Sequence, residues 1–234
     1  MDYTSYVIRL TQLAKMERSD LSFVTAIPNI IQMAEQRIYR ELDLLATRVT
    51  DSTASFSSGT RNFTLPTTNG VFLVPEQINV ITPTSSYTAT NGTRVPLVNT
   101  SRDFIDITYP SNASGTSVPE FFAMSDNATI IVGPPPDKAY RVEVIGTQRP
   151  AALSSANSST FLTQVLPDLF IAASMIVLAN YADPMQPGKI DQQYWEEQYN
   201  KLSQSANVEE LRKRYFSNAW TSQQPSPIAT PPRV

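Results

Sequence analysis

The sequence predicts an α+β protein: a helical bundle of about four helices, an inserted and mostly antiparallel β-domain, and an extended C-terminal arm. Three observations predict it. Apolar residues recur at helical spacing near both ends of the 234-residue chain and at a period of two through its middle. Ser and Thr number 24 each against 7 Gly, a hydroxyl-rich mixture that suits strands and rigid loops better than flexible linkers. The stretch SNAWTSQQPSPIATPPRV (217–234) shows neither period and is rich in proline, which favours an extended conformation.

Near the start, Tyr3, Tyr6, Val7, Leu10, Leu13 and Ala14 form one apolar helix face, ended by Arg18, Ser19 and Asp20. A second helix is expected from about Pro28, a residue favoured in a first turn, with Ile27, Ile31, Ala34, Ile38, Leu42 and Leu45 on its buried stripe. Arg37 and Glu41 form an i,i+4 pair on its wet side, worth a few tenths of a kcal/mol. From Ala46 to Pro150 the period falls to two. Residues 47–50, 63–65, 71–81, 94–98, 121–124, 129–132 and 140–147 read as strands, with turn signals at Asn69-Gly70, Asn91-Gly92 and Asp126-Asn127. Ser101 to Ile105 reads as a short capped helical turn, and 111–117 as an exposed loop. Seven or so short strands at this spacing suggest a small sandwich or barrel.

Helical character returns at Phe161. Pro167 starts a helix to about Tyr181 whose core, Leu169 to Ala179, is apolar except for Ser174. Eleven residues are too few to span a bilayer, which needs about 20, so this is a core helix, covered by its own chain or by a neighbouring subunit. A turn at Asp183-Pro184 and Pro187-Gly188 leads to a long helix with Ile190, Tyr194, Trp195, Tyr199, Leu202 and Ala206 inside. It continues through Val208, Leu211 and Tyr215 past a break expected near residues 205–207. The expected organisation is therefore residues 1–45 and 161–216 as the bundle, 46–160 as the β-domain and 217–234 as the arm.

Composition narrows the chemistry. Without Cys or His there is no thiol nucleophile, no Ser-His-Asp triad and no Cys- or His-ligated metal. A net charge of −3 does not suit a protein that coats nucleic acid. The N-terminus lacks a basic region followed by an apolar run, so the reading is a soluble protein made in the cytoplasm without membrane insertion. Gly188-Lys189 lacks the remainder of a phosphate-binding loop. A glycosidase would need two carboxylates facing a cleft. Asp103, Asp106, Glu120 and Asp126 are the candidates, each better read as a cap or solvated loop residue. No catalytic, cofactor-binding or metal residues are assigned. Arg212, Lys213 and Arg214 form a basic cluster just before the arm, where it either answers the negative end of the helix dipole or docks an acidic partner. In the arm, Trp220, Ile228 and Val234 are the apolar anchors.

Three segments carry a family resemblance: Phe23–Arg48 (an aromatic–Pro–helix–Ala-Glu–Arg–Glu-Leu pattern), Val118–Pro136 (a Pro–aromatic–hairpin–Pro stretch) and Arg149–Pro184 (Pro-x-Leu-Ser…Pro-Asp-Leu-aromatic). In this order they resemble the head-to-tail adaptor proteins of tailed bacteriophages, called tail tubular protein A in some short-tailed phages. The resemblance implies a non-enzymatic virion protein, made in the host cytoplasm, that forms a ring of twelve copies below the portal. Such a ring binds the portal through C-terminal segments and the tail nozzle or hub through the β-domain, and leaves a channel for double-stranded DNA without sequence-specific binding. On that view Arg212, Lys213, Arg214, Tyr215, Trp220, Ile228 and Val234 are portal-contact candidates. Ser111, Asn112, Ser114 and Thr116 face the tail, and Phe170, Met175, Tyr194, Trp195 and Tyr199 lie between subunits. The alternative is a tail-associated peptidoglycan hydrolase using a carboxylate pair.

Overall fold

The computed structural model describes residues 1–16, 21–181 and 190–217. It is a mixed α+β fold of two compact units, one of residues 1–46 with the chain from Ala152 on, the other Thr47–Ala151.

The helical unit opens with α1 (Tyr3–Ala14). Asp2 caps it, its carboxylate accepting from the Ser5 N–H at 2.8 Å, and Lys15 ends it in the left-handed conformation at φ 54°. α1 thus ends before Arg18, Ser19 and Asp20, and residues 17–20 lie outside the described ones. α2 (Leu21–Glu41) does not begin at Pro28 but carries it inside, on its exposed side. The buried series Phe23, Ile27, Ile30, Ile31, Ala34 and Ile38 runs unbroken past the proline, and its packing outweighs the hydrogen bond that Pro28 cannot donate.

After the β-unit come α4 (Phe161–Val165), α5 (Pro167–Tyr181) and α6 (Gln192–Ser217). A reciprocal capping box between Thr160 and Thr163 starts α4. α5 is the hub, packed against α1, α2, α4 and α6. Leu169, Phe170, Ala172, Ala173, Ser174, Met175 and Leu178 are all buried by these elements of the same chain. The one polar residue of its apolar run, Ser174, hydrogen bonds to the Tyr6 hydroxyl, whose ring stacks on Phe170 at 4.5 Å. Because the chain encloses α5 by itself, Phe170 and Met175 have no surface to offer a second subunit, and Tyr199 of α6 is buried in the same core.

α6 is one continuous helix with no break at 205–207. Tyr199, Ala206 and Glu210 face the bundle. Keeping helical phase through 207 turns Val208, Leu211 and Tyr215 outward, where they are 48%, 59% and 59% exposed.

The β-unit has nine strands. β1 (Arg48–Asp51), β9 (Tyr140–Pro150), β4 (Gly70–Thr82) and β5 (Thr93–Pro96) form one sheet in that order, with β2 (Ser55–Phe56) also on β9. β3 (Asn62–Thr64), β8 (Thr129–Gly133), β7 (Phe121–Met124) and β6 (Val98–Asn99) form the second, all antiparallel except β6 with β7. Phe56, Phe63, Phe72, Ile78, Val80, Phe122, Ile130, Val132, Val142 and Val144 fill a core drawn from both sheets. Buried Leu97 joins β5 to β6, so one stretch of chain passes from sheet to sheet. On β7 and β8 lies α3 (Arg102–Thr108), capped by Ser101, with Ile105, Ala123 and Ile131 forming a small core beneath it.

Candidate functional site

No His/Cys/Asp/Glu group among the described residues is placed to hold a metal, and no described helix is long and apolar enough to cross a membrane. Two of the four carboxylates considered for hydrolysis have structural partners. Asp106 takes Arg61 at 2.5 Å and Arg102 at 3.4 Å, and Arg61 above all holds it below the usual carboxylate range. Asp126 accepts from the N–H groups of Ala128 and Thr129, both at 2.8 Å, and these hydrogen bonds, Ala128's foremost, also lower its pKa. Glu120 and Asp103 are exposed at separate positions before β7 and in the first turn of α3. What the residues build instead is surface.

Two of the three charges in the basic cluster at the end of α6 are answered within their own helical unit. Lys213 Nζ donates to Glu210 at 2.7 Å and Glu209 at 3.0 Å, which raises its pKa. Arg214 reaches the Asp43 carboxylate at 2.5 Å and the Asp43 carbonyl at 2.8 Å, raising its own pKa and lowering that of Asp43. Arg212 is exposed. Beside it lie Val208, Leu211 and Tyr215, so the outer side of the last turns is an apolar stripe flanked by a cation. Trp220, Ile228 and Val234 lie outside the described residues.

At the start of α6, Tyr194 is exposed and meets half-buried Trp195 edge to face at 5.3 Å. Tyr199 is committed inward: its hydroxyl donates to Glu41 at 2.6 Å and its ring lies 4.2 Å from the Arg37 guanidinium. Arg37 is also no wet-side residue alone, since it forks onto Glu196 at 2.8 and 3.0 Å as well as Glu41 at 3.0 Å.

In the β-unit, Ser111, Asn112 and Thr116 are exposed and Ser114 is half-buried. The loop is shaped from within: Ser111 and Ser114 hydroxyls lie 2.8 Å apart, and Asn112 Oδ1 accepts the Arg61 N–H at 3.3 Å. That leaves Asn112 partly occupied and Thr116 the freer side chain. The surface that sequence reasoning missed is on β4, where Val71, Leu73 and Val74 are 53%, 46% and 56% exposed. Read as a period of two, Val71 and Leu73 share one face and Val74 the other. Register shifts between Phe72 and Val74 and between Pro75 and Gln77 break that alternation.

Two compact units, each with a packed core and with exposed apolar residues on β4 and α6, offer the surfaces of a protein that works through contacts with others. The chain belongs to the SU10 adaptor protein family, whose model matches residues 1–224. The family gives it a structural role as a phage adaptor, a virion component associated with other virion components such as portal and tail. No curated protein matches the chain.

Proposed function

We propose that this chain is the subunit of a head-to-tail adaptor ring, the counterpart of tail tubular protein A in short-tailed phages. Twelve copies dock on the portal, meet the tail nozzle or hub below, and leave a channel through which double-stranded DNA passes. The helical unit, bounded in this reading by residues 1–45 and 161–216, forms the ring wall. Tyr194 and Trp195 supply its subunit contacts. Residues 46–160 present Ser111, Asn112, Ser114 and Thr116 to the tail. Residues 217–234 form the arm that clamps the portal through Trp220, Ile228 and Val234, with Arg212 and Tyr215 at its root.

The observation that carries this reading is the outward stripe Val208, Leu211 and Tyr215. These side chains are about half exposed, and they sit on the last turns of α6, just before residues 217–234 in the sequence. Aliphatic side chains each lose about 1.5–3 kcal/mol when left in water rather than buried, so a stripe of them marks an interface. The net charge of −3 agrees with a conduit that must let DNA slide. Removing residues 217–234 should leave a chain with the wild-type circular dichroism spectrum that no longer co-sediments with portal. Undiminished portal binding by the truncated chain would refute the clamp.

A further inference from the structure

The five-stranded sheet is closed unevenly. β9 pairs with β4 from Gly70 to Ile81, but β5 pairs only with Asn79 to Thr82. Residues 71–77 of β4 therefore have no strand on their other side among the described residues. An open edge is a template for another chain, and this one is apolar, through Val71, Leu73 and Val74. The bulges are built in: Gly146 on β9 has no side chain where a Cβ would lie 2.2 Å from the Val74 carbonyl oxygen. Pro75, which has no N–H to donate, and the register shifts restrict the pairing that this edge can accept.

The opposite rim of the same sheet is β1, with Arg48 and Thr50 exposed. β1 pairs with residues 144–147 of β9, and Val74 to Ile78 of β4 pair with the same four residues from the other side. The two rims thus stand at one level, and both strands run antiparallel to β9, hence parallel to each other. A closed ring needs two different complementary surfaces on each subunit, which is what two unlike rims of one sheet provide. Charge favours their meeting. Within the subunit Arg48 reaches across β9 to Glu76 at 2.7 Å. A β1 from a second copy beside β4 would put another Arg48 on the strand next to Glu76, one strand spacing of about 4.8 Å away instead of two.

We propose that residues 71–77 of β4 receive β1 of a second copy, so that the five-stranded sheets of neighbouring subunits join edge to edge. This rests on the ring reading above and names the surfaces that close the ring. Val71, Leu73 and Val74 supply the apolar contact, the free main-chain groups of both strands supply hydrogen bonds, and Arg48 with Glu76 sets the register.

The absence of cysteine makes a direct test available. Val74→Cys is combined in turn with Val49→Cys and Thr50→Cys, so that both faces of β1 are sampled. Inside one subunit these positions are separated by β9, about 10 Å and too far for a disulfide. The full-length chains are mixed with purified portal protein, oxidised, and run on denaturing gels, with native mass spectrometry reporting assembly. One double variant should give a ladder rising to the full ring, while each single-cysteine variant stays monomeric on the gel. Rings without a ladder, or dimers from Val74→Cys alone, would overturn the edge-to-edge contact and leave the adaptor ring standing. Failure of the wild-type chain to form any ring with portal would instead remove the ring, and this contact with it. Leu73→Asp serves as the second variant: its monomer should keep the wild-type spectrum while ring formation needs at least about tenfold more protein. Unchanged assembly by that variant would also refute the proposal.

Discussion

Glu35 is a carboxylate in the core of the helical unit, 4% exposed, accepting the Leu153 N–H at 3.0 Å where the chain re-enters that unit after the β-strands. Burial outweighs that hydrogen bond and pushes its pKa up from 4.5 to about 7; Tyr39 is raised too, by its own burial first and by the Glu35 charge second. Between those two values the folded chain holds a proton that the unfolded chain has released. Stability from this group is therefore present in full below about pH 4.5 and is lost as pH rises through 7. The loss is on the order of 3 kcal/mol. Glu35→Gln keeps an acceptor for Leu153 and removes the titration. Urea unfolding at pH 5 and pH 8 should show the wild type losing stability across the interval more than the variant does, with the variant the more stable at pH 8. Parallel behaviour of the two chains would show that Glu35 does not carry the charge penalty. Nothing in the sequence marks Glu35 out, since its partner is 118 residues away and its helix position reads like any other acidic residue on an amphipathic stripe.

Among the elements, α2 shows how packing overrides a local rule. Pro28 denies the helix one hydrogen bond and its ring crowds the carbonyl one turn back, at a cost of about 3 kcal/mol in an ordinary helix interior. It is exposed, so replacing it removes no core contact. Pro28→Ala should raise stability by about 1–3 kcal/mol, read as a higher urea midpoint with unchanged slope. A lower midpoint would mean that the proline shapes a bend the bundle requires. Sequence periodicity is a good guide wherever an element is long and buried on one side. α1, α5 and most of the strands lie within a few residues of their expected positions because a single apolar period sets them. β2 and β6, two residues each, are too short to show a period. The outward stripe of α6 escapes sequence reading because its apolar residues suggest an inward face after a break, whereas unbroken helical phase carries them to the surface. The ion pairs that occupy Lys213 and Arg214 depend partly on Asp43, from the far end of the chain, so a basic run in sequence overstates the charge offered to a partner.

At the scale of the whole molecule, the chain enters the β-unit at Thr47 and leaves it at Ala151, and the strands next to those two ends belong to one sheet. Arg48 pairs with Thr147 and Gly70 with Pro150, so the first strand and the last residues of β9 are fixed within the same sheet. The unit also has its own core, in which Phe56, Ile78, Val80, Phe122, Ile130, Val132, Val142 and Val144 are all at or below 2% exposure. About 100 residues with both termini paired and a closed apolar interior meet the requirements of an independent domain. A fragment of residues 47–151 should therefore fold alone, unfolding in urea as a single cooperative transition that coincides by tyrosine fluorescence and by circular dichroism. A fragment that shows no cooperative transition would mean that the β-unit depends on the helices that flank it in sequence. In that case the insertion would be an extension of the bundle instead of a module that an adaptor can carry toward the tail.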